Sequence, residues 1–221
     1  MNTNKKIVAF DLETIADPAM LPLLPEVKAK ATLKDLAKIT ADIEAKKKKQ
    51  VFDMGLDPTL NLICCASWCD ECGKPGSISI EEPTYDEEKK LILKFWDILS
   101  SYDHFVTYNG RNFDVRCLYL HGITHGIRPA VSIDRSKYNR TGSNHTDLRG
   151  ILAGEGQFAK GKLDFFCKKF LGDQKTEGID GAKVQSFFDM GLIDDIAEYC
   201  RQDALLTFRL FQRVEAAGLL E

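Results

Sequence analysis

The stretch AFDLETI, residues 9–15, places Asp11 and Glu13 two positions apart inside an otherwise apolar run. Side chains alternate along a strand, so the two carboxylates share one face, roughly 7 Å apart. Like charges held that close raise each other's pKa unless a cation lies between them. Ile7, Val8, Ala9, Phe10 and Leu12 read as core around the pair, so a metal ion is the simplest resolution of the conflict. Two other segments carry acids in comparable settings. In TYNGRNFD, residues 107–114, Asp114 sits at a strand-to-helix turn after Asn109-Gly110. In EYCRQD, residues 198–203, Tyr199 and Asp203 lie four apart in helical text and project from nearly the same stripe. Each segment alone has an ordinary structural explanation: a solvated strand face, a helix cap, a surface Asp beside a half-buried Tyr.

The elements that must position these residues follow from periodicity and punctuation. A first strand is expected over 6–14, then a lysine-rich helix over about 26–50 that Asp57-Pro58 ends. Residues 62–69 and 77–80 read as two strands of a hairpin, joined by DECGKPG. Thr84 with Glu87 forms a capping-box pattern, opening a helix that carries Leu91, Ile92, Phe95, Trp96 and Leu99 on one face. A short strand over 104–108 and a helix over about 112–121 flank the Asn-Gly turn. Residues 134–161 are polar and glycine-rich and read as surface loop; helices are expected at 163–171 and about 194–217, with GIDG (178–181) as a turn. No repeat or linker is visible, so the expected architecture is one α/β domain over 1–221, a mixed central sheet, antiparallel at its start, flanked by helices.

Composition limits the classes of function. A net charge of −3 supplies no global basic field, so any nucleic-acid contact must be local. The start MNTNKK has no apolar stretch behind it and no run reaches a membrane-spanning length, so neither export nor a membrane is expected. Seven cysteines, an odd number without framework spacing, indicate reduced thiols and a cytoplasmic setting.

Taken in order, these segments resemble the DEDD superfamily of 3'-5' exonucleases, in the subgroup with Tyr four residues before the last Asp. More closely, the chain is similar to the predicted 3'-5' exonucleases related to the proofreading domain of family B DNA polymerases. The resemblance is carried by FDLET (10–14), YNGRNFD (108–114), HTDL (145–148), GKLDFFCKKFLG (161–172), GIDGAKV (178–184) and YCRQDALLT (199–207). It implies a ribonuclease H-like fold and metal-dependent removal of nucleotides from the 3' end of single-stranded DNA, with RNA or an idle end-binding module as alternatives. It also implies that Asp11, Glu13, Asp114 and Asp203 ligate two Mg²⁺ or Mn²⁺ ions, Asp11 touching both, and that Tyr199 orients the attacking water. Hard divalent ions prefer carboxylate oxygens, which agrees with this donor set. Leu12, Thr14, Asn109, Phe113 and His145 are carried over as substrate-side positions, although Asn109 also reads as a cap of its turn and His145 as a structural hydrogen-bonding residue. No polymerase segment is read in these residues, so proofreading would require a separate polymerase or a repair complex as partner.

Three further signals compete. GQFAKGKL (156–163) has phosphate-loop spacing, but Leu163 stands where Ser or Thr must meet Mg²⁺. Cys64, Cys65, Cys69 and Cys72 hint at zinc, yet adjacent cysteines on a strand point to opposite faces. Lys46 to Lys49 read as a solvated helix end, with phosphate neutralisation along an incoming strand as the alternative.

Overall fold

The computed structural model describes residues 5–136, 142–154, 160–172 and 181–220. Five strands form one sheet in the order β3-β2-β1-β4-β5: β1 Ile7–Ala16, β2 Asn61–Asp70, β3 Gly76–Ser79, β4 His104–Thr107 and β5 His145–Asp147. The β1–β2 and β2–β3 pairs are antiparallel, whereas β1–β4 and β4–β5 are parallel. The mixed sheet and the hairpin expected from the alternating text are therefore present. Parallel pairing aligns the carboxyl ends of β1, β4 and β5 along one edge, where α/β proteins place their ligands.

Alternation along β1 divides the core. Val8, Phe10 and Leu12 enter an apolar cluster with Phe95, Trp96, Phe105 and Leu118. Those partners come from β4, α2 (Tyr85–Leu99) and α3 (Asp114–His125). Ala9 enters a second cluster with Val106, Phe166, Phe208 and Phe211 under α5 (Leu163–Leu171) and α7 (Ile193–Ala216). Asp11 and Glu13 continue the parity of Ala9, so they are carried toward α7. Helix α2 forms as its pattern requires: the Thr84 hydroxyl accepts the Glu87 N–H (3.3 Å), and the five expected apolar residues are buried.

Several expectations need correction. The lysine-rich helix α1 spans Leu36–Gly55, so Lys46 to Lys49 lie inside it and are not its end. Two of them make local contacts: Lys46 pairs with Asp42 (2.8 Å) and donates to the Lys28 carbonyl, and Lys49 pairs with Asp53. The segment read as surface loop holds β5 and a short helix α4, Leu148–Leu152, and another short helix, α6 (Val184–Asp189), precedes α7. Residues 178–180 of GIDG and 156–159 of the phosphate-loop look-alike lie outside the described residues. No zinc-type cluster forms among the four hairpin cysteines, which stay free, three buried and Cys72 exposed. No helix among the described residues is long and apolar enough to cross a membrane.

A buried polar knot ties the first face together. Glu88, 1% exposed, accepts the Ile63 N–H (2.7 Å), meets His121 Nδ1 on one oxygen and His125 Nε2 on the other (2.6 Å). His121 and His125 lie four apart on α3, so one carboxylate from α2 fastens a full turn of that helix to β2.

Candidate functional site

Asp11 and Glu13 pair across β2 with Ser67 and Cys65, and their carboxylate oxygens lie within 4.8 Å of each other and of Cys200 Sγ. Helix α7 is held against this point by the Ser67 hydroxyl, which donates to the Cys200 carbonyl (2.7 Å). The Cys200 thiol contacts the Asp11 carbonyl (3.5 Å) and carboxylate (3.7 Å). Burial first, then Cys65 and the charges of Asp11 and Glu13, push the Cys200 thiol well above its usual range. It is therefore a neutral hydrogen-bond donor beside the acids, and a hard ion would take the carboxylates instead. Sequence reasoning missed Cys200 and Ser67, although Cys200 stands between Tyr199 and Asp203 in the motif already singled out.

Asp114 reaches β1 from the opposite side. The last β1–β4 pair is Ala9 with Val106; beyond it, the Leu12 N–H donates to Asp114 Oδ1 (2.9 Å). The turn that delivers Asp114 depends on two positions. Asn109 adopts φ +71°, a left-handed conformation that asparagine tolerates, and a Cβ on Gly110 would lie 2.4 Å from Thr107 Oγ1. Asp114 is 3% exposed, and burial pushes its carboxyl up to about 7; its own and the Leu12 N–H oppose this, while Asp147 and Asp203 add to it.

From α7, Tyr199 donates a hydrogen bond to Asp203, which is buried. Burial foremost, then the charges of Asp203, Glu13 and Asp11, holds the phenol far above its ordinary value. The structure thus brings all five proposed catalytic residues to one end of the sheet. Asp114 and Asp203 stand outside the 4.8 Å cluster; the charge of Asp203 reaches Asp114, and the charges of Asp203, Glu13 and Asp11 all reach Tyr199.

The substrate-side positions divide. Thr14 and Phe113 line a narrow cleft of about 70 Å³ beside Glu13, with Phe52 and Gln185 as unforeseen neighbours. Leu12 is 3% exposed, so only its backbone faces the site. Asn109 lies in a different cavity, described below. His145, 1% exposed, meets Thr107 Oγ1 through Nε2 (2.9 Å) and the Asp134 carbonyl through Nδ1 (2.9 Å), contacts that suit the structural hydrogen-bonding reading of this residue.

The donor set fits a hard divalent ion: two carboxylates at ligand spacing, and a third whose pKa is raised chiefly by burial, with the Asp147 and Asp203 charges adding to it. Between the usual 3.8 and about 7, folded Asp114 keeps a proton that the unfolded chain has lost, so its ionisation lowers stability as pH rises through that window. A cation bound by ionised carboxylates reverses this penalty. Mg²⁺ or Mn²⁺ is therefore expected to raise the unfolding temperature more at pH 8 than at pH 5; equal shifts at the two pH values would argue against these acids as ligands.

Known proteins share this arrangement's scaffold. Residues 60–219 match the family described as "Predicted 3'-5' exonuclease related to the exonuclease domain of PolB", a span that includes Asp114, Tyr199 and Asp203 and begins after Asp11 and Glu13. DNA polymerase 1 of Sulfolobus acidocaldarius is 26% identical over 148 residues, 62% of this chain and 16% of the polymerase. That of Sulfurisphaera ohwakuensis is 30% identical over 140 residues, 58% of this chain and 15% of the relative. The chain thus matches only a small part of the length of these relatives. The family B DNA polymerase of Pyrobaculum calidifontis superposes with a TM-score of 0.66 at 17% identity, covering 98% of this chain and 25% of that one. The likeness shows the fold, the ribonuclease H-like α/β architecture expected from the sequence. With most of its length matched, the chain belongs to the family of 3'-5' exonucleases related to the exonuclease domain of family B DNA polymerases.

Proposed function

We propose that this chain is a metal-dependent 3'-5' exonuclease that hydrolyses the terminal phosphodiester of single-stranded DNA. The observation that carries the reading is the convergence of Asp11 and Glu13 with Asp114, fixed on the Leu12 N–H, and with the Tyr199–Asp203 pair from α7. Asp11, Glu13, Asp114 and Asp203 are the residues that would hold two Mg²⁺ or Mn²⁺ ions. Bound there, such ions supply Lewis-acid stabilisation to the entering and leaving oxygens.

The protein's own groups divide the remaining work. Tyr199 keeps its proton at any working pH, so it cannot act as a base. Its hydroxyl donates to Asp203 and retains lone pairs that accept from a water O–H, which aims that water's oxygen at phosphorus. The new bond joins the water oxygen to phosphorus and the P–O3' bond breaks; of the water's two protons, one ends, through solvent, on the departing 3' oxygen and the other stays on the released 5'-monophosphate or passes to solvent. Thr14 and Phe113 stand in the cleft beside Glu13, in position to contact the terminal nucleotide.

An oligodeoxynucleotide labelled at its 5' end is expected to shorten as a one-nucleotide ladder in Mg²⁺ or Mn²⁺, while EDTA stops the reaction. Ca²⁺, with its larger and looser coordination, is expected to support binding with little turnover. Cleavage of a closed circular strand would overturn the exonuclease assignment, and full activity in EDTA would overturn the metal. Faster shortening of the matched RNA would move the substrate to RNA, and no turnover of either oligomer would leave an end-binding module.

A further inference from the structure

Beside the acidic site, on the same edge of the sheet, lies a cavity of about 230 Å³ lined by Asn109, Arg111, Asn112, Arg135, Asp147 and Arg149. Three of its seven lining residues, Gly150 being the seventh, are arginines, in a chain whose net charge is −3. The arginines come from three separate segments, and the fold fixes them. Asp147, 3% exposed, accepts the backbone N–H groups of Asn109 (2.8 Å), Arg111 (3.0 Å) and Arg149 (3.0 Å), clamping the turn after β4 to the start of α4. Arg111 also donates weakly to the His145 carbonyl (3.5 Å). The Arg135 guanidinium stacks over the Tyr119 ring at 4.2 Å from its centroid. Nearby, Asp134 Oδ1 accepts from the backbone and hydroxyl of Ser136 (2.8 and 2.6 Å), and its carboxyl also feels the charge of Arg111.

Placement relates this cavity to the acids. It lies beyond the carboxyl ends of β4 and β5, while Asp11 and Glu13 lie on β1, the next strand in the sheet. Neighbouring strands are about 4.8 Å apart, so β4 and β5 lie one and two strand spacings across the sheet from β1, a lateral offset on the scale of one or two nucleotides. Guanidinium groups on several sides of a concave site suit the spread oxygens of a phosphate.

We propose that the Arg111–Arg135–Arg149 cavity holds an internal phosphate of the bound strand, one or two linkages from the scissile one. It rests on the exonuclease reading for its orientation, and it gives the enzyme a grip on the strand upstream of its 3' end. The acidic site repels polyanions when its ions are absent, so a separate cationic hold sets affinity for substrates longer than a dinucleotide.

The test is equilibrium binding of a fluorescein-labelled hexathymidylate in Ca²⁺, read by anisotropy at several salt concentrations. R135Q/R149Q is expected to weaken binding at least tenfold and to reduce the log–log salt slope by about 0.7, one phosphate's share for a single strand. R135K/R149K should restore the slope, because it returns charge without the planar fork; a loss that lysine leaves uncorrected would mark the arginines as structural and overturn the proposal. Neutral methylphosphonate placed at one linkage at a time locates the contact. One linkage should weaken the parent as R135Q/R149Q does and add nothing further in that variant. An equal penalty at every linkage, or unchanged affinity of R135Q/R149Q, would overturn the proposal. Displacement by thymidine 5'-monophosphate with no sensitive linkage would assign the cavity to released product instead. If the parent binds with this arginine dependence yet turns over no oligomer in Mg²⁺ or Mn²⁺, the exonuclease reading fails and the cavity stands. Normal turnover without arginine dependence has the opposite meaning: the exonuclease reading stands and the phosphate cavity fails.

Discussion

Replacing Tyr199 by phenylalanine is expected to lower kcat by roughly 10²–10⁴-fold, the range for losing a positioned acid–base or orienting group, while divalent-ion binding stays nearly intact. The ring is half-buried against the first apolar cluster, so phenylalanine keeps its packing. Only the hydroxyl is lost, with its hydrogen bond to Asp203. Asp203→Asn, one turn further along α7, removes a carboxylate charge, and both Mn²⁺ affinity and turnover are expected to collapse. The contrast separates positioning of water from ligation. Calorimetric titration with Mn²⁺ and single-turnover kinetics on a labelled oligomer read the two quantities, with thermal unfolding as the control for folding. A fully active Tyr199→Phe protein would refute the water-positioning role, and an Asp203→Asn protein that binds Mn²⁺ as the parent does would refute the ligand role.

The second large effect lies far from the reaction, in the Glu88 knot. Glu88→Gln removes the charge that faces His121 and His125 while leaving both rings in place. Breaking a buried pair from one side costs about 3–5 kcal/mol, a large share of the roughly 5–15 kcal/mol that holds a domain folded. The pH dependence has a definite sign. Burial raises the Glu88 pKa, but the hydrogen bond and charge of His121, with His125 and the Ile63 N–H, outweigh it and leave the carboxyl below its usual 4.5. Its contribution is therefore fully present above 4.5 and is lost as pH falls through the lowered value. Urea unfolding of parent and variant should show the widest gap near neutral pH and a narrowing one in acid. A gap that stays constant down to pH 3 would show that the charge is not what stabilises.

These two cases also mark what could be read from the sequence. Strand and helix periods put Asp11 with Glu13, and Tyr199 with Asp203, on shared faces, and the turn before Asp114 put it at a strand-to-helix junction; that they form one site was legible only through the family resemblance of the segments in order. The apolar stripe of α2 was legible from its 3.6-residue period. Glu88 was not, because an acid in the first turn of a helix normally faces water. The start of α1 was misplaced because much of the helix is exposed, with Met54 its only buried residue, so its stripe carries little signal. Three-residue β5 is too short for any period, and its pairing with β4 is a long-range fact. The arginine cavity was invisible for the same reason: residues 111, 135 and 149 converge only after the sheet orders the turns that carry them.

The contacts that build the acidic site join residues 102 apart in the chain (Leu12 with Asp114) and 189 apart (Asp11 with Cys200). Loop-closure entropy must be overcome before such pairings return any energy, so they belong to the late, cooperative part of folding. A partly folded chain, even one with its hairpin and α2 in place, would lack Asp114 and Asp203 at β1 and could not cut. If the chain is the exonuclease proposed above, its activity is an all-or-none property of this topology and should appear and vanish with global folding in a denaturant series.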